Sequence, residues 1–334
     1  MELKGQRQAL RSALLSPARQ WSCTTSLARY NAPVVREFFV GLASSLILTA
    51  LSRYVAQRIG LLDLPDDAHK QHGRTVAIGG WALAAAALPI LALADAHMGR
   101  LALGSCVALF TGLLDDRFGL SPKAKLLGQL LCALVTALGT GWVIRSVTLF
   151  GIEIALGWLA VPFTLFWIVG AINAFNLMDG LDGLATGSAA IIFGATAFIA
   201  AQSGNEVVLA LSVGFVGILL GFLLFNWAPA KVFLGDGGTH FVGFWLAVLS
   251  VHATSATLSD VPIFVAILLL GVPICDTAWA ILRRIRERRS ILQADRGHLH
   301  HRILALGLSE RATVLILYGI VAALCVLAIV VFFS

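Results

Sequence analysis

Hydrophobic residues run along this chain in long unbroken stretches and do not alternate with polar ones. Runs such as Leu83–Ala94 and Val261–Val272 show neither the period of two of a half-buried strand nor a polar helical face. Apolar segments near the length of a bilayer crossing recur at 37–57, 76–94, 99–114, 126–144, 155–175, 184–202, 206–225, 239–256, 261–282 and 312–333. The short 99–114 segment reaches across with tilt or local thinning. Lipid offers no partner for exposed backbone groups, so these segments are predicted to be helices. A transmembrane barrel is excluded, because its strands alternate over segments of about ten residues. The pattern predicts an all-α, polytopic integral membrane protein with about ten transmembrane helices. A basic N-terminal tail, 1–35, is expected to be poorly ordered, and 36–334 forms a single transmembrane domain.

Composition agrees with that reading: 58% of the 334 residues are hydrophobic and 13% charged, where a soluble domain carries about 25% charged residues. Parity places the loops 58–75, 115–125, 176–183, 226–238 and 283–311 on one face. They hold Arg58, Lys70, Arg74, Arg117, Lys123, Lys125, Lys231 and the Arg283–Arg289 cluster, whereas the opposite loops hold only Arg100 and Arg145. By the positive-inside rule the first face is cytoplasmic, with the Arg283–Arg289 run as its anchor. Residues 1–36 conflict with this parity, since Lys4, Arg7, Arg11, Arg19, Arg29 and Arg36 fall on the other side. That tail has no apolar core of a cleaved signal peptide. The net charge of +6 comes with no basic stripe interleaved with aromatics, which excludes nucleic acid and favours anionic lipid or a phosphorylated substrate. The five cysteines form no CxxC pair and read as packing residues.

The acidic residues carry the chemistry. Asp115, Asp116, Asp179, Asp182, Asp236 and Asp295 all fall on the cytoplasmic face, four groups of them beside glycines at helix ends. Carboxylates contribute little to topology, so the clustering calls for a cation and phosphate site. Asp115 and Asp116 repel one another, and a hard divalent ion relieves the repulsion. Asn176, Asp179 and Asp182 are spaced by three and share a side if the helix continues, although Gly180 and Gly183 favour loosening. In Gly235-Asp-Gly-Gly238 the backbone can approach a phosphate or metal while Asp236 supplies an oxygen. His298, His300 and His301, with Arg296 and Arg302, form a donor-rich loop suited to a diphosphate, uracil or sugar hydroxyls. Zinc is disfavoured by the absence of cysteine partners. Lys70, His72 and Arg74 precede Gly79-Gly80 and suit a phosphate at a helix N-terminus. Asp276, inside an apolar run, calls for a partner or a function. His240 is isolated and reads as a packing or surface residue.

In order along 58–302, these segments resemble the polyprenyl-phosphate N-acetylhexosamine-1-phosphate transferases, glycosyltransferase family 4. The resemblance rests on Asp63 and Asp66 with His69–His72 and Gly79-Gly80, Asp115-Asp116 followed by Lys125 and Gln129, Asn173–Gly183, Asn226–Gly243, Pro273–Thr277, and Asp295–Arg302. His69 before Lys70, and Thr239-His240 after the glycine turn, depart from the usual pattern.

The resemblance implies transfer of a sugar 1-phosphate from a UDP-N-acetylhexosamine to undecaprenyl phosphate in the bacterial inner membrane, with release of UMP. This reaction initiates cell-envelope polysaccharides such as O-antigen. It implies Mg2+, with Mn2+ as a substitute, held by Asn176 and Asp236. Asp115 would orient or deprotonate the lipid phosphate, with Asp116, Asp179 and Asp182 in support. Lys70, His72, Lys125, Asn173, Asn226, His298, His300, His301 and Arg302 would bind substrate. The His298–Arg302 pattern resembles the branch that uses small UDP-sugars, with UDP-GlcNAc the default and UDP-GalNAc, UDP-FucNAc and UDP-QuiNAc open. The alternatives are a phospho-N-acetylmuramoyl-pentapeptide transferase and, in a different class, a polytopic transporter. A transporter would set its polar groups at the bilayer midplane, not at one face.

Overall fold

The computed structural model describes residues 23–59, 79–94, 96–255, 257–288 and 297–334. Asp63, Asp66, His69, Lys70, His72, Arg74, Asp295 and Arg296 lie outside the described residues. The elements in order are α1 (Cys23–Ile59), α2 (Gly79–Leu93), α3 (Ala96–Phe118), α4 (Pro122–Leu134), β1 (Ser146–Leu149), β2 (Ile152–Ala155) and α5 (Ala160–Met178). They continue as α6 (Leu184–Gln202), α7 (Glu206–Asn226), α8 (Gly235–His252), α9 (Ile263–Leu269), α10 (Gly271–Arg286), α11 (Leu299–Leu304) and α12 (Glu310–Phe333).

Each apolar segment is mainly helical over its described residues. Among the described residues, six helices are long and apolar enough to cross a membrane, and the broken pair α9–α10 makes up to seven. The others differ for visible reasons: α2 and α4 span only 15 and 13 residues, and α8 carries Asp236, Thr239 and His240 in its first turns. The helical stretch α1 begins at Cys23, inside the segment expected to be a tail.

Helix α8 is the centre of the bundle. Its residues from Gly237 to His252 are all buried, and it packs on α2, α3, α5 and α6. A helix surrounded by protein and not by lipid tolerates polar side chains, and small residues let its neighbours come close. Two approaches fix its N-terminus: a Cβ on Gly80 would strike the backbone of Gly237 and Gly238, and one on Gly112 the backbone of Asp236 and Gly237. Both α2 and α3 therefore lie directly against the turn that carries Asp236.

Two features depart from the expected uninterrupted helices. The 261–282 segment is broken, with α9 and α10 meeting at 87°. Pro273 has no N–H to donate to Leu269, and Gly271 stabilises the helix poorly, so the break falls just before them, at Leu270. The fold also contains a two-stranded antiparallel hairpin, β1 with β2. Its tip, Phe150-Gly151, has φ of 50° and 79°, the left-handed pair that a tight two-residue hairpin turn requires. Thr148 donates to the Val261 carbonyl and Val261 to that of Ser146, fastening the hairpin to the segment before α9.

Candidate active site

The site grows from helix ends that meet at one end of the bundle. α3 stops at Phe118, Gly119 adopts a φ of 61°, and Ser121 caps α4 by accepting from the Ala124 N–H, with Pro122 in the first turn. This short reversal sets Asp115, from the last turn of α3, beside Lys125, from the first turn of α4. The Lys125 ammonium pairs with Asp115 Oδ2 and, at 2.8 Å, with Asp236 Oδ2. The other Asp115 oxygen accepts from the Leu120 N–H at 2.7 Å.

Asp236 stands in the first turn of α8 and gathers partners from α4 and α5. The Asn176 amide donates to its Oδ1 at 2.5 Å and to Thr239 Oγ1 at 2.8 Å. Burial pushes the Asp236 pKa up, but hydrogen bonds with Asp115, Lys125 and Asn176 outweigh it and hold the carboxyl at about 2. Asp116 has a different task. Its two oxygens accept from the backbone N–H groups of Asp236 and Gly237, at 2.7 and 2.9 Å, so α3 caps the N-terminus of α8. Asp116→Ala is expected to cost about 1 kcal/mol of stability, typical of a lost cap. A lowered melting temperature of the solubilised protein checks this, and an unchanged one contradicts the capping role.

The Asn173–Gly183 stretch does not continue as a helix. α5 ends at Met178 and α6 starts at Leu184, so Asn176, Asp179 and Asp182 share no helical face, as the glycines had indicated. Asp179 is partly buried, and burial plus the charges of Asp236, Asp116 and Asp182 raise its pKa to about 7. Asp182 turns away and accepts from the Ala230 N–H at 2.8 Å, holding the α7–α8 connection. Asn226, expected at substrate, is buried instead. Its amide oxygen accepts from Thr186 at 2.7 Å and its NH2 donates to the Val232 carbonyl at 3.0 Å. Asn173 is engaged by Gln129 and by the Val169 carbonyl.

The histidines sort themselves by burial. His298 and His300 are buried, while His301 and Arg302 are exposed. His298 Nδ1 lies 3.0 Å from Asp276 Oδ2, which supplies the partner Asp276 needed. The His300 ring packs against Gly180, where a Cβ would collide with it. Burial, then the neighbouring His301 and His298, lower the His300 pKa to about 4, so this ring is neutral at physiological pH. The loop thus sits against the Asp179–Asp182 turn.

The donor set suits a hard cation with few protein ligands. No three His, Cys, Asp or Glu side chains converge on a metal position among the described residues. Asp236 offers carboxylate oxygens here, with the Asn176 side-chain amide directly against it, and the Lys125 ammonium bridging Asp115 and Asp236 marks this point as one where positive charge is stabilised. Mg2+ keeps several waters and takes one or two carboxylates plus substrate phosphates, which such a pair can serve.

Residues 98–254 match the family model described as "Glycosyl transferase family 4". A Bacillus subtilis (strain 168) protein named "Probable undecaprenyl-phosphate N-acetylglucosaminyl 1-phosphate transferase" is 37% identical over 291 residues, 85% of this chain and 81% of the relative. The chain belongs to glycosyl transferase family 4. A Mycobacterium tuberculosis (strain CDC 1551 / Oshkosh) "Decaprenyl-phosphate N-acetylglucosaminephosphotransferase" is 32% identical over 323 residues, covering 85% of this chain and 80% of the relative. A Yersinia pestis "Undecaprenyl-phosphate alpha-N-acetylglucosaminyl 1-phosphate transferase" is 29% identical over 295 residues, covering 86% and 81%.

In this family 4 glycosyl transferase, two further residues that the sequence alone did not link to the candidate site make polar contacts beside it. His240, read as packing, is fully buried one turn beyond Asp236, and its Nε2 lies 3.2 Å from Gln129 Nε2. Gln129 carries the proton there, so Nε2 of His240 accepts. The signal was the departure at Thr239-His240, since Thr239 bonds Asn176 and His240 bonds Gln129. Arg283, read as an anchor, donates to the Gly297 carbonyl at 2.9 Å.

Proposed function

We propose that the chain transfers N-acetylhexosamine 1-phosphate, with GlcNAc 1-phosphate first among donors, from a UDP-sugar to undecaprenyl phosphate and releases UMP. The observation that carries this reading is the meeting of Asp115, Lys125, Asn176 and Asp236 at one end of the bundle, in a chain whose relatives are named as N-acetylglucosaminyl 1-phosphate transferases acting on undecaprenyl phosphate. We place that end at the cytoplasmic face of the bacterial inner membrane, with all ten apolar segments crossing, because the loops there hold most of the basic residues. The lipid phosphate lies at that interface and the nucleotide sugar arrives from the cytoplasm.

Two anions must approach one another, so the site's first task is neutralisation. Asp236 and Asn176 would hold a Mg2+, which supplies charge neutralisation at the donor diphosphate when bound. Lys125 contributes fixed positive charge beside Asp115. Asp115 orients the lipid phosphate and accepts its proton if it arrives protonated. A lipid phosphate oxygen attacks the β-phosphorus of the UDP-sugar and forms a new P–O bond. The P–O bond to the bridging oxygen breaks, and UMP leaves with the electron pair. Direct attack fits an Asp115 whose carboxylate is already tied by Lys125 and the Leu120 N–H, a geometry suited to orienting and not to nucleophilic swing.

Purified protein with undecaprenyl phosphate and Mg2+ should make lipid-linked product from one small UDP-sugar, and EDTA should abolish it. Product from UDP-muramoyl pentapeptide alone would replace the small-sugar reading with the peptidoglycan one. His301→Ala is expected to raise the KM for the UDP-sugar about tenfold, the scale of a lost charge-assisted bond, and His300→Ala to raise it as well by removing the ring that seats the loop on Gly180. Unchanged kinetics in both variants would remove the loop from the site.

A further inference from the structure

The loop that carries the histidines is held by one face of α10. Asp276, Trp279 and Arg283 are spaced i, i+3 and i+7, which puts them on one side of the helix. All three touch the loop. Asp276 uses both oxygens: Oδ2 meets His298 Nδ1 at 3.0 Å and Oδ1 accepts from the Leu299 N–H at 2.9 Å, in the first turn of α11. Arg283 donates to the Gly297 carbonyl, and Arg302 lies over the Trp279 ring at 6.0 Å. The Asp276 and His298 side chains are 12% and 6% exposed, so this pair is well shielded from water and its geometry is fixed.

From that clamp the contacts run on toward the carboxylates. The His298 and His300 rings are parallel within 3°, with centroids 6.0 Å apart, and His300 packs on Gly180, between Asp179 and Asp182. The buried histidines therefore serve as the loop's inner wall, and the exposed His301 and Arg302 are its outward donors. We propose that Asp276, with Trp279 and Arg283 beside it on α10, is a positioning residue that presents His301 and Arg302 to the phosphates of the nucleotide sugar. This rests on the donor-binding role given to the loop above. It gives the partly buried acid of α10 and the first arginine of the basic cluster a task beyond membrane anchoring.

The test separates holding the loop from catalysis. Asp276→Ala and Arg283→Ala should each raise amide hydrogen exchange of residues 297–304 at least tenfold, on the scale of a lost buried hydrogen-bond partner, with Asp276→Glu restoring part of the protection. In kinetics the same variants should raise the KM for the UDP-sugar about tenfold and change the KM for undecaprenyl phosphate less than about twofold. Unchanged exchange in a folded Arg283→Ala or Asp276→Ala protein overturns the clamp. Faster exchange with both KM values shifted equally, or neither, overturns the donor-specific role. If the wild-type protein turns over no UDP-sugar, the functional reading fails, while exchange still decides whether α10 holds the loop.

Discussion

Replacing Asp236 by Asn is expected to abolish transfer, with kcat falling at least about 1,000-fold while the protein still inserts in the membrane and purifies as a folded species. The substitution preserves volume and leaves an oxygen at the site, so the loss isolates charge. Asp236 is where the site converges: it receives Asn176 at 2.5 Å and Lys125 at 2.8 Å, and its own backbone N–H is held by Asp116. Without its charge a divalent ion loses its one carboxylate at this point, and the Lys125 ammonium is left facing Asp115 alone. Initial rates on protein with an unchanged elution profile and melting temperature check this. Near-normal turnover would sink the assignment of Asp236 to the cation.

Gly112→Ala is expected to be nearly as damaging, through geometry and not charge. One added methyl on α3 would strike the Asp236 carbonyl and the Gly237 N–H, backbone atoms that no rotamer change can move aside. The helices must separate, at a cost of about 1–3 kcal/mol for an overpacked contact. That separation moves Asp115 and Asp116 away from Asp236, where a displacement of about 1 Å costs on the order of 100-fold in rate. A lower melting temperature together with reduced turnover at saturating substrate is the expected pair of results. Wild-type values for both would show that α3 and α8 can part without disturbing the site.

The membrane character and the polar motifs that meet in the candidate site were legible in the sequence because their signals are local. Uninterrupted apolar runs mark helices, and Asp115-Asp116, Asn176 and Asp236 each stand in a short polar motif beside glycine at a helix end. What stayed hidden depends on pairing at a distance. His240 meets Gln129 across 111 positions, and Asn226 meets Thr186 across 40, so a motif that reads as substrate-binding proved to be a buried clasp. The hairpin was masked because its strands have four residues each between two apolar runs, too short for alternation to stand out. The break between α9 and α10 was written in Gly271 and Pro273, yet the apolar run around them reads equally well as one crossing. Spacing by three in Asn176–Asp182 promised a shared face, and the two glycines overruled it.

The central claim is that a phosphorus atom moves with the sugar. The direct measurement is transfer from UDP-GlcNAc carrying 32P in its β-phosphate to undecaprenyl phosphate, using purified protein with Mg2+ and a parallel EDTA control. The label is expected to enter the lipid fraction, with unlabelled UMP appearing alongside it, and EDTA to stop both. Lipid-linked sugar formed while the label stays in released UDP would contradict it, because the sugar alone would have moved.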